Sequence, residues 1–315
     1  PEDPFHSFML NGYACLGMAR AAELLAAVDA RLGAQWAAEA QAFRLAIREA
    51  FFTAQAQGPV VPLGDGTWVP GTAPWTEARG LLMLFNEPGT CWTHGTFTAR
   101  DSMLGPLYLV LSEVLDPREP ATQAMLDWHA ELMCQHNVAF SQPYYARHDW
   151  IHAQRGEVKP FLKTWYNGCT ALADRETYTW WEHLFQVSPH KTHEEAWFLM
   201  QCRWLLWQEH GTELCLLPLI PRAWLADGQT LRLDRVASYF GPFSLTVQSR
   251  LSLGQIQADI TWEAPRAPAQ IRLHLPHPLG QTARQTSMGS YDAATESVLL
   301  PISPACHQAT ITLLF

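Results

Sequence analysis

The sequence predicts a mainly helical chain with an added β domain: a two-layer toroid of α-hairpins over 1–212, then an antiparallel β-sandwich over 213–315. Two observations carry this. Before about residue 212 the apolar residues recur with helical period over long stretches; after Gly211 they fall into short alternating runs. Within the first part, segments apolar on nearly every face alternate with segments apolar on one side only. Inner and outer helices of a layered bundle produce that alternation, because an all-round apolar helix must be buried. The 315 residues supply ample core material, and 48% hydrophobic against 16% charged residues excludes intrinsic disorder.

In order along the chain, 4–31 and 34–53 read as two helices separated by Gly33, the second amphipathic through Trp36, Ala40, Phe43, Leu45, Ile47 and Phe51. The stretch 58–75 is rich in Pro and Gly around a Gly-Asp-Gly turn, which favours a hairpin or an ordered loop. A short helix is expected over 76–85. Helix 101–115 should be buried all round and 119–135 on one side. The pair repeats as 158–173 and 174–185, and 193–209 is again apolar on every face. Beyond Gly211 the clearest alternation is Ile256, Ala258, Ile260, Trp262 and then Ile271, Leu273, Leu275.

Charge and motifs exclude several functions. With 21 Lys+Arg against 30 Asp+Glu the net charge is −9 and no basic run occurs, so nucleic acid is not an expected partner. No apolar run reaches the roughly 18 residues that span a bilayer, so no membrane segment is expected. The seven cysteines are scattered without zinc-type or redox spacing, and their pattern does not decide between cellular compartments. His148 and His152 are four apart and His190 and His193 three apart, but no third ligand is spaced to complete a site, so no metal is expected. No G-x-S-x-G elbow and no glycine-rich phosphate loop is present, and no cofactor is implied.

Polar residues cluster where the buried helices begin. Asp101 follows Arg100; Arg147, His148, Asp149 and Trp150 form one group with Glu157 close behind; Trp181 and Glu182 end an aromatic run; His190 and His193 precede the last helix. Two carboxyl groups across a cleft are the minimum apparatus for glycosyl transfer, and tryptophan faces stack on sugar rings. Seven of the 14 tryptophans fall between Trp150 and Trp207. Ordinary structural roles compete: Thr192-x-x-Glu195 is a capping box, Asp174 an N-cap, and Asp101 a first-turn acid favourable to the helix dipole. Glu182 has no such role, since it sits between bulky aromatics late in its segment, where a carboxyl pKa is raised.

The run YNGCTALADRETYTWWEH followed by SPHKTHEEAWFLMQCRWLLW resembles the late barrel region of the six-hairpin, (α/α)6 glycosidases, nearest to the α-L-rhamnosidase-like group. LCLLPLIPRAWLADG resembles the linker that leaves the barrel in related fucosidase-like and phosphorylase-like members. The resemblance covers about half of the chain. It implies an inverting glycoside hydrolase with Glu182, in Thr179-Trp180-Trp181-Glu182, as general base. Arg147, His148, Asp149, Trp150, Trp181, His190 and His193 would bind the sugar. The family's early acid-bearing segment is missing and only about seven helices are legible, so the chain reads as the C-terminal portion of a longer enzyme, with its own N-terminal part as a partner. Glu157 and Asp101 are then the candidates for the second carboxylate. A non-catalytic carbohydrate-binding or scaffold protein and a sugar phosphorylase stay open as alternatives.

Overall fold

A computed structural model describes residues 6–77, 106–133, 147–181, 190–263, 268–302 and 307–315. The chain separates into two compact units, Pro1–Phe198 and Leu199–Phe315.

The first unit opens with α1 (Phe8–Ala26) and α2 (Ala30–Gln57), which pack on one another as a hairpin. Ser7 caps α1 by accepting from the Leu10 N–H, and Asp29 caps α2 by accepting from that of Leu32. The break therefore falls at Val28–Asp29, and Gly33 lies inside α2 rather than between the helices. Its role is close approach: a Cβ there would stand 2.6 Å from the Ala26 backbone. The Pro/Gly-rich stretch closes as a hairpin of β1 (Val60–Pro62) and β2 (Trp68–Pro70), with Gly66 at φ 87° in the turn.

A helix over 106–111 (α3) and α4 (Pro120–Met133) follow, then α5 (His148–Arg155) and α6 (Val158–Leu172). Phe8, Phe51, Leu107, Leu109, Met125, Trp128 and Ile151 share one apolar core, with Trp150 packed against it. The helix expected over 174–185 is not formed at its start. Ala173–Asp174 (β3) and Thr179–Trp180 (β4) pair instead as a small antiparallel hairpin. Asp174 accepts the N–H groups of Glu176 and Thr177, so its carboxylate closes a turn rather than starting a helix. The last helix, α7, is Thr192–Leu206.

The toroid is not what these elements make. The protein has seven helices among the described residues, 44% helix and about 27% strand in several sheets, which is not a clear (α/α)6 arrangement. In the toroid α7 would be buried on every face, yet Leu199 is 67% and Met200 37% exposed. Counting apolar residues around a helix sets how much surface it can bury, not how much its neighbours cover. The helix expected over 76–85 falls almost wholly outside the described residues, as does Asp101.

The second unit holds two five-stranded sheets. One orders β12 (Ser290–Asp292), β13 (Ser297–Pro301), β10 (Gln270–His274), β6 (Glu213–Leu216) and β5 (Trp207–His210). The other orders β11 (Gln285–Thr286), β14 (Gln308–Leu314), β9 (Gln255–Trp262), β8 (Gly241–Arg250) and β7 (Thr230–Ser238). Ile256, Ala258, Ile260 and Trp262 are all buried, and the Trp207 ring of one sheet meets Phe243 of the other with centroids 5.8 Å apart. The expectation of a purely antiparallel domain fails at one place: β6 and β10 pair in parallel. After β6 the chain builds β7–β9 in the other sheet before returning beside β6, and such a long crossover permits parallel neighbours.

Candidate functional site

The first unit gathers ionisable side chains where a helical domain built only for stability would place apolar ones. Arg147, His148, Asp149 and Glu194 are all buried, and so is His129 on α4. Removing a charge from water costs several kcal/mol before any partner offsets it.

Arg147 precedes α5 in the left-handed region (φ 51°, ψ 16°), a conformation that costs a non-glycine residue about 1–2 kcal/mol. Gly156 closes the helix in the same region with φ 71°. The helix is thus a short, bounded platform of eight residues. Two side-chain groups at its start turn to α7. The Arg147 guanidinium carbon stands 3.8 Å from the Trp197 ring centroid, and the Trp197 Nε1–H donates to Asp149 Oδ2 at 2.7 Å. Cation–π attraction and a charge-assisted hydrogen bond therefore hold the same indole. The Arg147 Nε–H also donates to the Tyr108 hydroxyl at 3.2 Å. Burial drives the Tyr108 pKa up against the opposing pull of Arg147, so the phenol stays protonated. The Tyr13 ring of α1 lies 5.2 Å from that of Tyr108 and is itself partly exposed.

Glu194 lies three residues before Trp197, on the same face of α7. His193 Nε2 is 3.3 Å from its Oε1. It is Glu194, not the capping-box Glu195, that turns inward. The helix begins at Thr192 itself, so the box motif starts inside the helix and not at its cap.

The opposite side of α5 carries histidines. His148 stacks on His129 with centroids 4.0 Å apart, and His152 lies one turn further along. His152 Nδ1 meets Glu157 Oε2 at 2.6 Å, while the Arg155 Nε–H donates to the other oxygen at 2.7 Å. Glu157, engaged on both oxygens by His152 and then Arg155, has its pKa lowered. That is the wrong direction for a general acid at neutral pH, so the structure gives Glu157 the task of fixing the α5–α6 corner.

The remaining expected residues divide. Trp150 packs against the apolar core, which accounts for its ring without a ligand. Trp181 is half-buried and follows β4 directly; its backbone N–H donates to the Leu172 carbonyl. His190 is exposed with φ 61°. Glu182 lies outside the described residues. On the far side of that interval the chain is again beside the same hairpin, where the Lys191 N–H donates to the Trp180 carbonyl at 3.0 Å. The Trp180 ring in turn lies 4.5 Å from Phe198, the residue after Trp197. Among the described residues no group of three His, Cys, Asp or Glu side chains is arranged to hold a metal, and no helix is long and apolar enough to cross a membrane.

Sequence reasoning reached Arg147, His148, Asp149 and His193, and Glu194 within the run 190–195, but missed Tyr108, His129 and Trp197 as members of the same cluster. The one local signal was the Glu194–Trp197 spacing, which sets both on one face. Comparison with known proteins adds nothing to this assignment, since no family model, no curated protein and no solved structure matches the chain.

Proposed function

We propose that this protein is a carbohydrate-active enzyme, a glycoside hydrolase that works with carboxyl groups and no cofactor. The observation that carries the reading is the convergence of Arg147 and Asp149 on Trp197, with Glu194 on the same helix face, all three charged groups buried. Glycosidic cleavage asks for one carboxyl to protonate the leaving oxygen and a second to activate water, beside aromatic and cationic groups that hold hydroxyls and ring faces. Asp149, which accepts from the Trp197 indole N–H, supplies one carboxyl. Glu194, enclosed on α7 with His193 beside it, supplies the second carboxyl. Glu182, next to Trp181 in the sequence, remains the candidate base of the resemblance to the rhamnosidase-like glycosidases.

The test is hydrolysis of a panel of aryl glycosides and plant or microbial oligosaccharides by the wild type and by D149N, E194Q and E182Q. Loss of a carboxyl that acts in the transition state should lower kcat by about 10³-fold or more while sugar affinity changes much less. Circular dichroism should report unchanged secondary structure in each variant. A wild type that binds a sugar yet cleaves none of the panel would transfer the site to a binding-only protein. Near-wild-type turnover in both D149N and E194Q would remove these residues from the chemistry.

A further inference from the structure

The histidines behind α5 play no part in the chemistry proposed above, yet their geometry is specific. The Thr164 hydroxyl donates its single hydrogen to the Pro160 carbonyl at 3.0 Å. His148 Nε2, 3.0 Å from the same oxygen, must then be the donor of that contact. Nε2 therefore carries a hydrogen; burial favours the neutral ring, which is then the Nε2–H tautomer, with Nδ1 buried without a hydrogen-bond partner among the described residues. Against it lies His129 of α4, buried as well, at 4.0 Å between ring centroids. Two imidazoles at that separation cannot both carry charge.

We propose that His129 and His148 form an acid-sensitive latch: their neutral stack joins α4, α5 and α6 and so positions Arg147 and Asp149, and protonation of either ring releases α5. His148 is a positioning residue in this scheme, acting through the helix it sits on. The assignment of its purpose rests on the reading of Arg147 and Asp149 as site residues; the latch itself does not.

Among the described residues, burial and the neighbouring histidines both disfavour protonation of the pair. Burial first, then His129 and His152, lower the pKa of His148. Burial and then His152 lower that of His129 to about 3. Asp149 on the same helix accepts from Trp197 at Oδ2, and Glu157 at the start of α6 is held by His152 and Arg155. From α3, Tyr108 meets Arg147, and from α6 only the neutral Thr164 hydroxyl reaches the His148 ring in a hydrogen bond among the described residues. The sign follows. With the folded pKa depressed, the open state binds more protons below its ordinary value of about 6.5, so the closed state is fully favoured above that pH and loses ground as pH falls toward about 3.

Hydrogen exchange of the intact chain, followed by mass spectrometry at about pH 7.5 and about pH 5 and corrected for intrinsic exchange rates, reads the latch directly. Opening of segment 147–157 relative to segment 40–57 should rise about thirty-fold for each histidine that gains a proton, up to about a thousand-fold for the pair. H129F, which keeps a ring in the stack, should reduce the rise to the single-histidine value. Nitrogen-15 imidazole spectra of the wild type should show His148 as the Nε2–H tautomer down to about pH 5, and T164V should remove that tautomer preference. These spectra decide the matter if H129F does not fold. Opening of 147–157 that ignores pH, a His148 ring titrating near its ordinary value, or H129F with unaltered pH dependence would each overturn the latch. If D149N loses cleavage while the opening ignores pH, the latch alone fails. If the latch operates and no sugar is bound or cleaved, the enzymatic reading alone fails.

Discussion

The two units treat polarity in opposite ways. Among the described residues of the β-rich unit, the buried side chains are apolar apart from neutral groups such as Gln208, Ser249 and Ser297, the ring of His277 and the carboxylate of Glu209. Glu209 is met by Arg203 at 2.6 Å on both oxygens and by the Tyr239 N–H at 3.1 Å. The helical unit instead buries Arg147 and Asp149 against one indole, with the buried Glu194 on the same helix face as that indole, and stacks two neutral histidines behind them. Ion pairs with both partners satisfied serve a scaffold. Charges gathered on an aromatic ring, beside a backbone held at positive φ, are a pattern that stability alone does not select.

The comparison breaks or sharpens on mutation. The largest effect is expected from Ile260→Ala, which removes a fully buried side chain from β9 between β8 and β14. Urea unfolding should show a loss of about 2–5 kcal/mol, the range for large-to-small changes in a packed core. Asp149→Asn should cost much less, about 1 kcal/mol or under, because the amide oxygen can still accept from Trp197 and a buried charge is removed. Should D149N unfold the helical unit as strongly as I260A unfolds its neighbour, the cluster is scaffold and the contrast between the units collapses. The smallest effect belongs to Arg272→Met. Arg272 Nε lies 2.9 Å from Glu213 on a half-exposed surface, and pairs open to solvent are worth about 0.2–1 kcal/mol, with the difference shrinking further in high salt.

Glu213 also shows how opposing influences settle. Burial works to raise its pKa, but the Arg272, Cys215 and Gln270 contacts outweigh burial and hold it below the ordinary carboxylate value. In the helical unit the corresponding contest for His148 has no opposing side, since burial and neighbouring histidines act together.

Some of this was legible residue by residue. The buried run Ile256, Ala258, Ile260, Trp262 emerges from strict alternation because a strand presents the same face every second residue, whatever its partner. Arg147 and Asp149 stood out as members of a polar cluster ahead of the buried segment 158–173, although the short helix they head did not. The 173–180 hairpin was not legible, because aromatic and β-branched residues after a helix suit a continued helix as well as a pair of strands. Nor was the parallel pairing of β6 with β10, since alternation is identical in either direction. The toroid failed for a related reason: the helical period of α7 defines its apolar faces, but whether Leu199 and Met200 are covered depends on what packs there.

By itself, then, the sequence determined the change from a helical to a β-rich part and the buried face of strands such as β9, and it singled out polar residues such as Arg147 and Asp149. These depend on local propensity and periodicity, which act over a few residues. The tertiary structure decided which of those polar residues meet. Asp149 and Trp197 are 48 positions apart and His129 and His148 19 apart, and no local rule brings them together. Burial makes the decision: enclosing α5 between α3, α4, α6 and α7 removes water from one arginine, one aspartate and two histidines at once, and each must find its partner across the core.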